Sequence, residues 1–163
     1  MEILIEELSG GLPDWPEFTR FVIRLIAAML LGAFVGYERE RAGKAAGLRT
    51  HMLVAMGSAL FVIGCTAAEM SMEGLSRVIQ GIVTGLGFIG AGAILKHRDE
   101  PDTEGLTTAA GIYMTAAIGV AAGLGRLGLA LVGAILTWIV LGILGLISAR
   151  IKKDNASSPG DAK

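Results

Sequence analysis

Charge is absent from this chain for long runs, and no other feature restricts its fold as much. Thirteen uncharged residues separate Arg24 from Glu38, Met52 to Ala68 supplies 17, Val78 to Leu95 supplies 18, Gly105 to Gly125 supplies 21 and Leu127 to Ala149 supplies 23. A helix rises about 1.5 Å per residue, so each of the last four runs can cross the roughly 30 Å hydrocarbon core of a bilayer. The first does so if Arg24 extends its stem toward the headgroups, which lengthens it to the 17 residues from Phe21 to Tyr37. A soluble helical domain would instead repeat charges on its outer faces at every turn, whereas only 18% of these 163 residues are charged and 53% are apolar. The expected fold is all-α and polytopic: five transmembrane helices in a compact, glycine-rich bundle. The fourth run is rich in Thr, Ala and Gly rather than Leu, so it suits the interior of the bundle better than a lipid-facing position.

Basic residues set the expected orientation, because cytoplasmic loops retain Lys and Arg. Arg39, Arg41, Lys44 and Arg49 in the first connection, Lys96 and Arg98 in the third, and Arg150, Lys152, Lys153 and Lys163 in the tail place 10 of the 14 basic residues on one side. The opposite side holds Arg20, Arg77, Arg126 and the acidic start, which predicts an outer N-terminus and a cytoplasmic C-terminus. Residues 1–18 read as an acidic extracytoplasmic arm with a short interfacial helix and Trp15 near the interface, residues 19–150 as the transmembrane domain, and residues 151–163 as a disordered cytoplasmic tail. The acidic start is unlike the basic start of a signal peptide. A formal charge of −1 leaves no basic surplus for nucleic acid, and Cys65, the single cysteine, provides neither an intrachain disulfide nor a multi-thiolate metal site.

Glycine lets membrane helices approach closely. Gly32 and Gly36 in the first span and Gly119 and Gly123 in the fourth keep a four-residue spacing. In the third span Gly81, Gly85 and Gly92 lie near one face and Gly87 and Gly90 on others, which predicts close neighbours around much of that helix and a central position. Two uses are open: packing within the bundle, or a surface for another membrane protein. Polar residues in the spans are few. Arg77, Gln80 and Thr84 form a stripe on the third; the Gln80 amide requires a neighbouring span or water as partner, or lines a solute path. Thr108, Gly111, Thr115 and Gly119 share a face of the fourth span, with Thr107 at its start, and hydroxyls of this kind can bond their own backbone. His51, Ala55, Ser58, Val62 and Cys65 share a face of the second, and His51 has no companion ligand at metal-binding spacing.

The densest charge cluster is Glu38, Arg39, Glu40, Arg41 and Lys44, followed by Arg49, Thr50 and His51 at the opening of the second span. It reads as a solvated loop, an ion-paired cap, or a regulatory or ligand surface. Asp99, Glu100, Asp102 and Glu104 supply oxygen ligands enough to attract Mg²⁺ weakly, and no other cofactor is expected. No nucleophile, base and orienting group can be assembled, so no enzymatic activity is expected.

Four strings, GAFVGYERER, GLRTHMLVAMGSALF, RVIQGIVTGLGFIGAGAIL and GLTTAAGIYMTAAIGVAAGLG, resemble in order and spacing the motifs of the MgtC/SapB family of bacterial inner-membrane proteins. The resemblance covers roughly Arg20 to Arg150. It implies a link to magnesium limitation, growth in acid and, in pathogens, survival in macrophages. It further implies a membrane regulator acting on other membrane proteins, among them the rotary ATP synthase and magnesium pumps. A homo-oligomer is a separate expectation. The residues it carries over are Glu38, Arg39, Glu40, Gly47, Leu48, Arg49, Thr50, Arg77, Gln80, Gly85, Gly87, Gly90, Gly92, Gly105, Thr107 and Thr108. Many members add a cytoplasmic C-terminal domain, so regulation through it is not transferred. Some members have Asn at Thr107 and Cys at Met114, so Thr107 is carried over as a position, with no role assigned to its side chain or to that of Met114. The rival expectation is a small transporter or channel. The interiors of the five spans contain no Asp or Glu, and Mg²⁺, which gives up its water reluctantly, would need such groups along a path.

Overall fold

The computed structural model describes residues 14–95 and 104–145. The predicted interfacial helix of the arm, the acidic ligands Asp99, Glu100 and Asp102, and the tail lie outside the described residues, as does the side chain of Glu104. Five helices follow one another: α1 (Trp15–Arg41), α2 (Leu48–Ala67), α3 (Met72–Leu95), α4 (Glu104–Gly123) and α5 (Leu127–Ile139), the last continuing into a π-helical turn, Val140–Leu144. Among the described residues there is no strand. Helices α1 to α4 are each long and apolar enough to cross a membrane, whereas the described apolar stretch of α5, Leu127–Ile143, is shorter.

Helix ends follow local chemistry. Pro16 sits in the first turn of α1, where its missing N–H removes no helical bond. Three helices stop in the same way: the residue after the cap turns left-handed, and two back-bonds close over the last carbonyls. After α1, Gly43 at φ 68° bonds Glu40 and Lys44 bonds Arg39. After α4, Gly125 at φ 76° bonds Ala122 and Arg126 bonds Ala121. After α2 the left-handed residue is Glu69, at φ 51°, although a side chain is unfavourable there.

Helix α4 occupies the centre. It touches all four other helices, and its buried residues lie on more than one face, from Thr108 through Ile112, Thr115 and Ile118 to Ala122. The main core joins α1, α2, α4 and α5 through Val35, Ile118 and the alanines Ala28, Ala55, Ala59, Ala122, Ala130 and Ala134, whose small side chains let helices come close. Glycine does the same on both sides of α2. A Cβ on Gly32 would lie 2.6 Å from the His51 carbonyl oxygen, and one on Gly123 would lie 2.7 Å from that of Ala59. Gly119 rests directly on the Ala55 carbonyl. Helix α2 is therefore clamped between the backbones of α1 and α4.

The central position expected for the third span is corrected. Helix α3 packs chiefly on α4 and more lightly on α2. Gly90 approaches Ala109, and Gly87 lies near the Tyr113 hydroxyl, but Gly81, Gly85 and Gly92 have open space around them. The Tyr113 hydroxyl donates to the Val83 carbonyl at 2.9 Å and ties α4 to this outer helix. Arg24 also departs from the snorkelling expected of it. Its Nη1 donates to the Gly123 carbonyl at 3.1 Å, placing a cation at the negative end of the α4 dipole.

Candidate functional site

The face of α1 that meets α2 carries Ala28, Gly32, Val35 and Gly36, and one more turn along that face brings in Arg39. Its position puts the guanidinium inside the bundle: Arg39 is 3% exposed. Glu38 is largely buried beside it, with its Oε2 3.5 Å from Arg39 Nη1. The Arg39 Nε is buried and has no hydrogen-bond partner. A buried ion pair of this kind is costly to break, because either partner alone leaves an uncompensated charge.

Glu40, the next acid, does something else. Its Oε2 accepts from the Leu48 N–H at 2.7 Å, and a Cβ on Gly47 would lie 2.7 Å from the same oxygen. The carboxylate thus caps the start of α2, where free N–H groups and the dipole favour an anion, and Gly47 leaves the space it needs.

His51 completes the cluster. It is 1% exposed, wedged beneath α1, since a Cβ on Gly36 would lie 2.9 Å from its own Cβ. Its Nδ1 lies 2.9 Å from the Gly47 carbonyl; a carbonyl only accepts, so the proton is assigned to Nδ1 and Nε2 presents its lone pair. That Nε2 is buried without a partner and faces α4, with Gly111 opposite it. Leu141 of the π turn packs near Gly111, and Gly142 faces the Glu38 side chain. Turns of π-helix recur at functional sites. Glu38, Arg39 and His51 are thereby brought together with Gly111 and the π turn. Arg49 is exposed and Thr50 half-buried.

Thr108 and Thr115 are buried in α4, Thr115 donating to the Gly111 carbonyl at 2.9 Å, whereas Thr107 is exposed. The third-span stripe lies on the opposite side of α3. Arg77 pairs with Glu73 in the open. Gln80 is exposed and makes no bond to a neighbouring span; with Thr84, Ile79, Val83 and Leu124 it lines an open groove of about 570 Å³. Thr84 donates to the Gln80 carbonyl at 2.9 Å. The Gln80 stripe and the buried threonines of α4 therefore do not share one path. Among the described residues no group of three His, Cys, Asp or Glu could hold a metal ion.

The sequence profile of the MgtC family matches residues 25–150, which takes in α1 from Leu25 onward and every later element. The chain belongs to the MgtC family. Similar proteins include Protein SrpB of Synechococcus elongatus, 46% identical over 78% of this chain and 75% of that protein. The putative magnesium transporter YhiD of Escherichia coli K12 is 44% identical over 83% of this chain and 65% of its own length. Protein MgtC of Salmonella typhimurium LT2 is 38% identical over 88% and 60% respectively. The chain thus spans between three fifths and three quarters of these relatives. No solved structure matches it. In this member of the MgtC family, the approach of Gly111 to His51, the place of Gly142 and the capping role of Arg24 are not legible in the sequence. Arg39 had a legible signal, because it continues the spacing of Ala28, Gly32, Val35 and Gly36.

Proposed function

We propose that this chain is a non-enzymatic regulator of the bacterial inner membrane, with its N-terminus outside and its C-terminus cytoplasmic, that serves magnesium homeostasis and adaptation to acid or low magnesium by docking another membrane protein. The observation that carries this reading is the free face of α3: Gly81, Gly85 and Gly92 with open space above them, while Gln80 lines an open groove on another side of the same helix. Glycines that no described helix approaches allow a foreign helix to come close, and an amide at membrane depth gains from a partner across the contact. The charge asymmetry of the loops supports the orientation, and the magnesium link rests on kinship with YhiD and MgtC. The rotary ATP synthase and a magnesium pump are the candidate partners; a link to virulence belongs to the same reading.

Cross-linking in native membranes from a photoreactive residue at Thr84 tests it. The expected result is one dominant heterologous product that Gly85→Leu abolishes while the melting temperature in detergent is unchanged. Cross-links to lipid alone, together with saturable Mg²⁺ flux by the purified protein in liposomes that Gln80→Leu removes, would replace the regulator with a transporter.

A further inference from the structure

Among the described residues, two buried side-chain polar atoms have no partner, Arg39 Nε and His51 Nε2, and a docking face on α3 does not explain them. Native proteins rarely leave such groups unpaired, because each then loses its hydration with nothing in return. Their chemistry is complementary. Arg39 Nε–H can only donate, and His51 Nε2, with the ring proton on Nδ1, can only accept. Whatever satisfies both must accept one hydrogen bond and donate another.

The surroundings narrow the choice further. Glu38 Oε2 lies 3.5 Å from Arg39 Nη1, so the pair brings no net charge and offers little to an ion of either sign. A metal would find the His51 lone pair and one carboxylate already committed to a guanidinium, and among the described residues no third ligand completes a set. The opposite walls are glycine. A Cβ on Gly111 would stand 3.6 Å from His51 Nε2, and one on Gly142 would stand 3.7 Å from Glu38 Cγ. Gly111 of α4 thus faces the imidazole, with the Leu141 side chain of the π turn also beside it, and Gly142 faces the Glu38 side chain.

We propose that Glu38, Arg39 and His51, walled by Gly111 and Gly142, form an internal hydration site in which bound water accepts from Arg39 Nε–H and donates to His51 Nε2. The bridge adds a link between α1 and α2 beside the direct one from Glu40 to Leu48, with α4 lying alongside, and buried water is retained where several polar groups face it.

Solid-state NMR of the full chain in bilayers, with ¹⁵N-labelled histidine, tests the site. His97→Gln separates the His51 signals from those of the second histidine. The expected spectrum has the proton on Nδ1 and a water-to-ring cross-peak that persists when a soluble paramagnetic quencher removes the bulk-water signal. Gly111→Ala puts a methyl group in ordinary contact with Nε2 and is expected to abolish that cross-peak; Gly142→Ala is expected to keep it. The site is overturned by a ring without a bound-water cross-peak, by a proton on Nε2, by a cross-peak of full strength in Gly111→Ala, or by a shift of Nε2 on adding Zn²⁺, which would mark a metal ligand. Should Gly111→Ala not fold, the wild-type tautomer and cross-peak decide alone.

Discussion

The glycines of this chain divide by what stands above them. Gly119 has the Ala55 carbonyl directly over its Cα, while Gly57 and Gly64 have open space. Adding a methyl group at Gly119 must push two helix backbones apart, so Gly119→Ala is expected to lose about 2 kcal/mol or more of stability in reversible detergent unfolding. Gly57→Ala adds a methyl to open space and relieves the entropy cost of glycine in a helix, so it is expected to gain roughly 0.5–1 kcal/mol in the same measurement. Equal effects at the two positions would show that α4 does not press on α2 as described. Glycine's identity is visible in the sequence, but the atom opposite it is not, which is why composition alone could not separate these two positions.

Helix termination repeats a single motif three times, and the exception carries the information. Gly43 and Gly125 take the left-handed position after α1 and α4, whereas Glu69 takes it after α2. A side chain in that conformation costs roughly 1–2 kcal/mol, part of which glycine returns as unfolded-state entropy. Glu69→Gly is therefore expected to raise stability by about 0.5–1 kcal/mol, read as a higher melting temperature, and no change would argue against the strained turn. The Gly-Lys and Gly-Arg steps at residues 43 and 125 were open to reading as stops; the third stop had no glycine to announce it. The π turn after α5 was also invisible, because nothing in VLGIL distinguishes it from a regular helical turn. The buried pair was partly legible: its residue types stood out as a charged cluster, but their inward direction follows only once α1 is seen to lie on α2 along its small-residue face.

At the scale of the bundle, helix number and the buried character of the fourth span follow from charge-free runs and from its Thr, Ala and Gly content. The placement of α3 does not. A glycine-rich helix states that something approaches closely, and it does not state whether the neighbour belongs to the same chain. Here α4, with both Gly105 against Ile94 and Gly119 against Ala55, takes the centre, and α3 keeps Gly81, Gly85 and Gly92 outward. In a Cys65→Ala background, Thr84→Cys is expected to react readily with a membrane-soluble maleimide and Thr115→Cys, fully buried in α4, to react only after unfolding. The reverse ranking would restore α3 to the middle.

The clamping of α2 between α1 and α4 also bears on how the protein is made. A span whose sides are largely threonine, alanine and glycine enters lipid less readily than a leucine-rich one, and its best surroundings are helices synthesised before it. The hairpin of α1 and α2 must then already stand in the membrane, with Gly36 seated on Leu48 and Glu40 capping α2, for α4 to find its groove as it leaves the ribosome. Lesions in that hairpin would surface during biogenesis, as a fourth segment left unthreaded and degraded.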